Sequence, residues 1–126
     1  MDNKKDVLIV DDDRATLQIL SRILQRQGYG TDAAETGREA EEKIVGANYD
    51  LALIDVKLPD TDGVELMNKI HAVKPGMVTI LMTGFPSVDN GIKAIDSGAD
   101  AYLVKPVPAQ ELLKVMEERL RNKRRT

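Results

Sequence analysis

The 126 residues (13.9 kDa), 42% of them hydrophobic, suffice for one core and are too few for two, and the absence of cysteine excludes disulfides and thiolate metal sites. Five cations at Arg119, Arg121, Lys123, Arg124 and Arg125 conceal the acidity of the rest: the net charge of −3 becomes 13 basic against 21 acidic residues, or −8, for the chain before Arg119. An acidic body with 3% aromatic residues argues against direct nucleic-acid binding, no purely aliphatic run exceeds four residues where a bilayer span needs ~20, and no apolar segment of signal-peptide length follows Met1 to Asp6, so a cytoplasmic protein with no membrane partner is expected.

Short apolar runs alternate with helical patterns along the whole chain. The first run, Val7-Leu8-Ile9-Val10, is uninterrupted and mostly β-branched, as a parallel strand buried on both faces should be. Asp13 can cap the helix that follows, Ala15 to Gln27, whose Leu17, Leu20 and Leu24 recur at spacings of three and four; Gly28 ends it. Tyr29 to Ala33 is the least marked strand. Thr36-Gly37-Arg38-Glu39 then has the capping-box pattern and opens a helix through Ala40, Ile44 and Ala47. Leu51 to Ile54 is the third strand, and Asp62 and Glu65, after the turn residues Pro59 to Thr61, can cap a helix carrying Val64, Met67 and Ile70. Met77 to Met82 is the fourth strand. Ser87 caps a helix with Val88, Ile92 and Ile95, ending near Gly98, and Ala101 to Val104 is the fifth strand. Pro106 and Pro108 separate it from a last helix with Leu112, Leu113, Met116 and Leu120 on its apolar stripe. Five strands alternating with five helices across short loops predict a doubly wound α/β domain with a five-stranded parallel sheet, and such folds gather ligands at the carboxyl ends of their strands.

The residues that leave the strands are Asp11-Asp12-Asp13, Asp55, Thr83 and Lys105. If the first and third strands are neighbours, Asp11, Asp12 and Asp55 converge and repel one another, and a hard cation such as Mg2+ would resolve the conflict through oxygen ligands. An ammonium and a hydroxyl at the same rim suit a phosphoryl group, so the set points to phosphoryl transfer.

Val10 to Asp13, Leu53 to Gly63, Met82 to Gly84 and Tyr102 to Pro106, each at the end of its expected strand, together resemble the receiver domain of two-component response regulators, over about Asp6 to Leu120. The resemblance implies a flavodoxin-like sheet of order 2-1-3-4-5, with the domain at 5–121 and a basic tail or the start of a linker at 122–126. It implies that Asp55 accepts a phosphoryl group from a sensor histidine kinase or phosphotransfer protein, with Mg2+ on Asp11, Asp12, Asp55 and the backbone carbonyl of Lys57. Lys105, preceding a cis peptide at Pro106, would pair with the phosphoryl oxygens. Thr83 and Tyr102 would act as the switch, reshaping a surface of the fourth helix, fifth strand and fifth helix for a downstream effector protein or domain, or for a phosphorylation-dependent homodimer. The chain would then catalyse only its own phosphorylation and dephosphorylation.

Other readings fit the residues less well. An aspartyl-nucleophile phosphatase would be expected to carry an acid two residues after the nucleophile, where this chain has Lys57, and a purely non-phosphorylated scaffold has no need of the full acidic set. A calcium loop around Asp60 to Gly63 would place Leu58 and Lys69 at its first and twelfth positions. The only histidine, His71, is expected to be a surface or half-buried residue, Phe85 a loop anchor, and the methionines core filling. Tyr102 has ordinary strand packing as its alternative. Lys57 beside the acceptor is expected to affect phosphoryl lifetime, and Val107, at a position often aromatic in the family, to alter the docking surface.

Overall fold

The computed structural model describes residues 4–123. Its elements alternate throughout: β1 (Asp6–Val10), α1 (Arg14–Arg26), β2 (Gly30–Ala34), α2 (Gly37–Gly46), β3 (Leu51–Asp55), α3 (Gly63–Val73), β4 (Val78–Thr83), α4 (Val88–Asp96), β5 (Ala101–Val104) and α5 (Ala109–Lys123). The strands form one parallel sheet of order β2-β1-β3-β4-β5, the expected doubly wound arrangement. The second and fourth strands each begin one residue later than the apolar pattern suggested, and β4 includes Thr83.

Period-two alternation sorts the strand side chains between two cores. Val7, Ile9, Leu51, Leu53, Val78 and Ile80 face α1 and α5, and Leu8, Val10, Ala52, Ile54 and Leu81 face α2, α3 and α4. Both sets are buried, which is why β1 and β3 read as continuous apolar runs. Met67, Met77, Met82 and Met116 fill these cores as expected.

The predicted helix starts hold at Asp13, Thr36, Asp62 and Ser87, each of which accepts a backbone N–H from the first turn. The capping box on α2 differs in one respect, since the Glu39 carboxylate accepts the Glu35 N–H at 2.7 Å rather than that of Thr36. Gly28 and Gly98 take left-handed φ values of 92° and 89° where α1 and α4 end. The apolar stripe of α4 points outward: Val88, Ile92 and Ile95 are exposed, and Ala94 is the helix's one buried residue. At the far end, α5 continues through Asn122 and Lys123, and the rest of the basic stretch, residues 124–126, lies outside the described residues.

Candidate functional site

Strand register brings the expected residues together. Val10 pairs with Ile54 and Asp55 with Met82, so Asp11, Asp55 and Thr83 leave three adjacent strands at one edge, with Lys105 just beyond β5. One carboxylate oxygen from each of Asp11, Asp12 and Asp55 lies within 4.8 Å of the others. Asp11 is 1% exposed and Asp55 8%, whereas Asp12 opens to solvent. The Lys105 ammonium bridges the buried pair, 2.8 Å from Asp11 Oδ2 and 3.3 Å from Asp55 Oδ2.

One ammonium against three carboxylates leaves an excess of negative charge. Burial pushes the Asp55 carboxyl above its usual range; the Lys57 N–H and Lys105 work against that rise, and the Asp11 charge adds to it. Burial also disfavours the charged form of Lys105, yet the hydrogen bond and charge of Asp11, followed by those of Asp55, outweigh it and raise its pKa. An all-oxygen donor set with surplus charge and one open side fits a hard divalent cation.

The loop after β3 is built as a tight hairpin. Gly63 N–H donates to the Val56 carbonyl at 2.6 Å and Leu58 N–H to that of Thr61 at 3.3 Å, which makes Lys57 and Asp62 an antiparallel pair that exchanges no hydrogen bond with each other. In such a pair the N–H and carbonyl of each residue point out of the ladder. The Lys57 N–H meets Asp55 Oδ1 at 3.2 Å, which sets this outer edge of the hairpin beside the acidic cluster. Gly63 is required at the base, because a Cβ there would stand 2.6 Å from the Asp55 carbonyl oxygen and 2.9 Å from Val56 Cα. At the tip, Asp60 reaches 23 residues back and accepts the N–H groups of Gly37 at 2.9 Å and Arg38 at 3.0 Å.

The switch candidates flank this centre. Thr83 is 3% exposed, and its Oγ1 accepts the Phe85 N–H at 3.0 Å. Tyr102 packs against the core formed with α2, α3 and α4, and its buried hydroxyl has no partner among the described residues. Phe85 departs from its expected anchoring role, since the residue is 73% exposed. It stands beneath the exposed Lys57 side chain, whose ammonium is 5.0 Å from the ring centroid, and the two residues rim a cleft of about 410 Å³ that also touches Asp12, Asp55 and Lys105. His71 is half-buried as expected, with a ring nitrogen 3.2 Å from Thr79 Oγ1. Sequence reasoning missed the tie from Asp60 to α2. An acid in a turn-rich loop is unremarkable, and its partners are distant in the chain.

The model of the response regulator receiver domain matches residues 7–117. Among curated proteins, the chain is 35% identical to the transcriptional regulatory protein ZraR of Escherichia coli, covering 91% of this chain and 26% of the relative. It is likewise 35% identical to the transcriptional regulatory protein ResD of Bacillus subtilis, covering 98% and 51%. The chain thus spans about a quarter to a half of the length of these relatives. Among solved structures, a CheY-like response regulator receiver domain protein from Methanospirillum hungatei superposes with a TM-score of 0.94 at 41% identity, over 98% of each chain. The beryllofluoride-activated NtrC4 receiver domain dimer superposes with a TM-score of 0.89 at 38% identity, over 94% of this chain and 98% of that one.

Proposed function

Because the chain belongs to the response regulator receiver domain family, whose members are phosphoryl-accepting signalling switches rather than catalysts of a separate substrate, we propose that Asp55 is its acceptor and Lys105 the cation that serves it. The observation that carries this reading is the single ammonium shared by Asp11 and Asp55 beside the open carboxylate of Asp12. The donor is a phosphohistidine on a sensor histidine kinase or phosphotransfer protein. An Asp55 oxygen forms the new bond to phosphorus, the phosphorus–nitrogen bond breaks, and its electron pair returns to the imidazole, leaving an acyl phosphate.

Mg2+ would be held by Asp11, Asp12, Asp55 and the Lys57 carbonyl, and when bound it supplies the positive charge that keeps Asp55 ionised and offsets charge on the transferred group. Lys105 then exchanges part of its contact with Asp55 for the phosphoryl oxygens. Thr83 turns its hydroxyl toward the new dianion, which costs the Phe85 N–H its acceptor, and Tyr102 answers behind it. The surface that responds is the face of α4, β5 and α5. The outward stripe of Val88, Ile92 and Ile95 supports this, as a contiguous apolar strip available to an effector protein or domain, or to a second copy in a phosphorylation-dependent homodimer.

The chain's own catalysis is confined to its phosphorylation and dephosphorylation. We assign the domain to 5–121 and the following basic residues to a tail or the start of a linker, and we place the protein in the cytoplasm. No helix among the described residues is long and apolar enough to cross a membrane. Incubation with acetyl phosphate and Mg2+ followed by intact-mass measurement tests the acceptor: one phosphoryl group is expected on the wild type and none on Asp55→Asn. A mass gain that survives the substitution refutes the assignment.

A further inference from the structure

Asp60 has no part in the acidic cluster, yet both of its carboxylate oxygens are tied to another element. Both its oxygens are engaged, one by the Gly37 N–H and the other by the Arg38 N–H, and these two bonds hold its carboxyl below the usual carboxylate range. A second contact brings the same hairpin tip against α2: a Cβ on Gly37 would lie 2.5 Å from the Thr61 methyl and 3.4 Å from Asp60 Oδ1. Within the first turn of α2 the work is divided: Thr36 Oγ1 accepts the Glu39 N–H at 3.0 Å, and Asp60, from the hairpin, takes the Gly37 and Arg38 N–H groups that Thr36 leaves unpaired.

The other end of the hairpin carries the Lys57 carbonyl. Two cross-links, from Gly63 to Val56 and from Leu58 to Thr61, make residues 56 to 63 a stiff unit, so whatever fixes the tip fixes the base. Lys57 and Asp62 are paired across that unit, and the tip that α2 holds lies two residues beyond Leu58. Without the tie, the base keeps the Val56 N–H bond to the Met82 carbonyl at 2.9 Å and the buried side chains of Val56 and Leu58, and it is the outer turn, Pro59 to Thr61, that loses its hold on α2.

We propose that Asp60 is a positioning residue for the metal site, clamping the hairpin to the first turn of α2 and thereby holding the Lys57 carbonyl beside Asp11, Asp12 and Asp55. The inference rests on the reading of that cluster as a Mg2+ site. It gives α2 a role in divalent-cation affinity although no residue of that helix is a ligand.

Titration of the full chain with MgCl2 by calorimetry tests it, with no phosphoryl donor present. Asp60→Ala is expected to weaken Mg2+ binding about tenfold, at the low end of what lost supporting contacts cost a metal site. Asp60 is exposed, so its truncation leaves both cores intact. Thr36→Val is the control that a merely structural role would not separate: it removes a cap from the same helix without touching the hairpin, and Mg2+ affinity is expected to stay within about twofold of the wild type. A wild type that binds Mg2+ with Asp60→Ala unchanged, or with Thr36→Val weakened as much, overturns the inference alone. A wild type that takes up no Mg2+ overturns the metal assignment and this inference with it.

Discussion

Replacing Asp55 by Asn removes one of three crowded charges while keeping the side-chain shape and an oxygen for the Lys57 N–H. At an effective dielectric of about 20, two like charges 4.8 Å apart repel by roughly 3.5 kcal/mol, and a cation at 3.3 Å attracts by roughly 5 kcal/mol. Asp55 faces two carboxylates within that distance and one ammonium, which leaves about 2 kcal/mol against its ionised form. Solvent on the Asp12 side screens this to about 1 kcal/mol. In chelator, Asp55→Asn should therefore be more stable than the wild type by about 1 kcal/mol, or a rise of about 4 °C in Tm for a domain of this size. The sign with pH follows from the raised pKa of Asp55. Ionisation costs the folded state stability above that pKa, so as pH falls through it the wild type takes up the proton and the difference closes. Mg2+ reverses the order, since a ligand at a hundred times its Kd adds about 2.7 kcal/mol to the protein that binds it. Thermal unfolding with chelator and with Mg2+, at neutral and mildly acidic pH, reads all three effects. An Asp55→Asn protein less stable than the wild type in chelator at neutral pH would refute the electrostatic reasoning.

Gly63→Ala forces a methyl against backbone atoms of Asp55 and Val56 and should cost about 2 kcal/mol or more in denaturant unfolding, with weaker phosphorylation of the displaced acceptor; unfolding like the wild type's would show that the hairpin base has room. Tyr102→Phe deletes a buried hydroxyl with no partner among the described residues and should stabilise the unphosphorylated chain by about 1 kcal/mol, while weakening the response to beryllofluoride measured by chemical-shift change at α4. Lys57→Ala removes the cation at the cleft rim and should change the dephosphorylation rate of the acyl phosphate; a first-order decay equal to the wild type's would end that assignment.

The features legible in the sequence were those that local chemistry fixes. Runs such as Val7 to Val10 and Leu51 to Ile54 announce strands because both faces of a parallel sheet are covered. Side chains with oxygen acceptors at Asp13, Thr36, Asp62 and Ser87 mark helix starts because the first turn leaves N–H groups unpaired. Strand exits then named Asp11, Asp12, Asp55, Thr83 and Lys105 as a set, since a doubly wound sheet collects its strand ends at one edge. The less regular features resisted. Periodicity found the stripe of Val88, Ile92 and Ile95 on α4 but not its direction, because an apolar face meant for a core and one left open have the same spacing. Phe85 looked like an anchor because a lone aromatic in a loop has no pattern around it to show whether its ring is covered, and it is exposed.

By itself, then, the sequence determined the elements, their alternation and which side chains stand at strand ends, all consequences of interactions within a few residues. Only the tertiary structure decided that Lys105 sits 2.8 Å from Asp11, 94 residues away, that Asp60 ties its hairpin to α2, and that the buried Tyr102 hydroxyl has no partner among the described residues. Those facts depend on how rigid elements pack across the sheet, and contacts between residues so far apart in the chain leave no periodic trace in either segment.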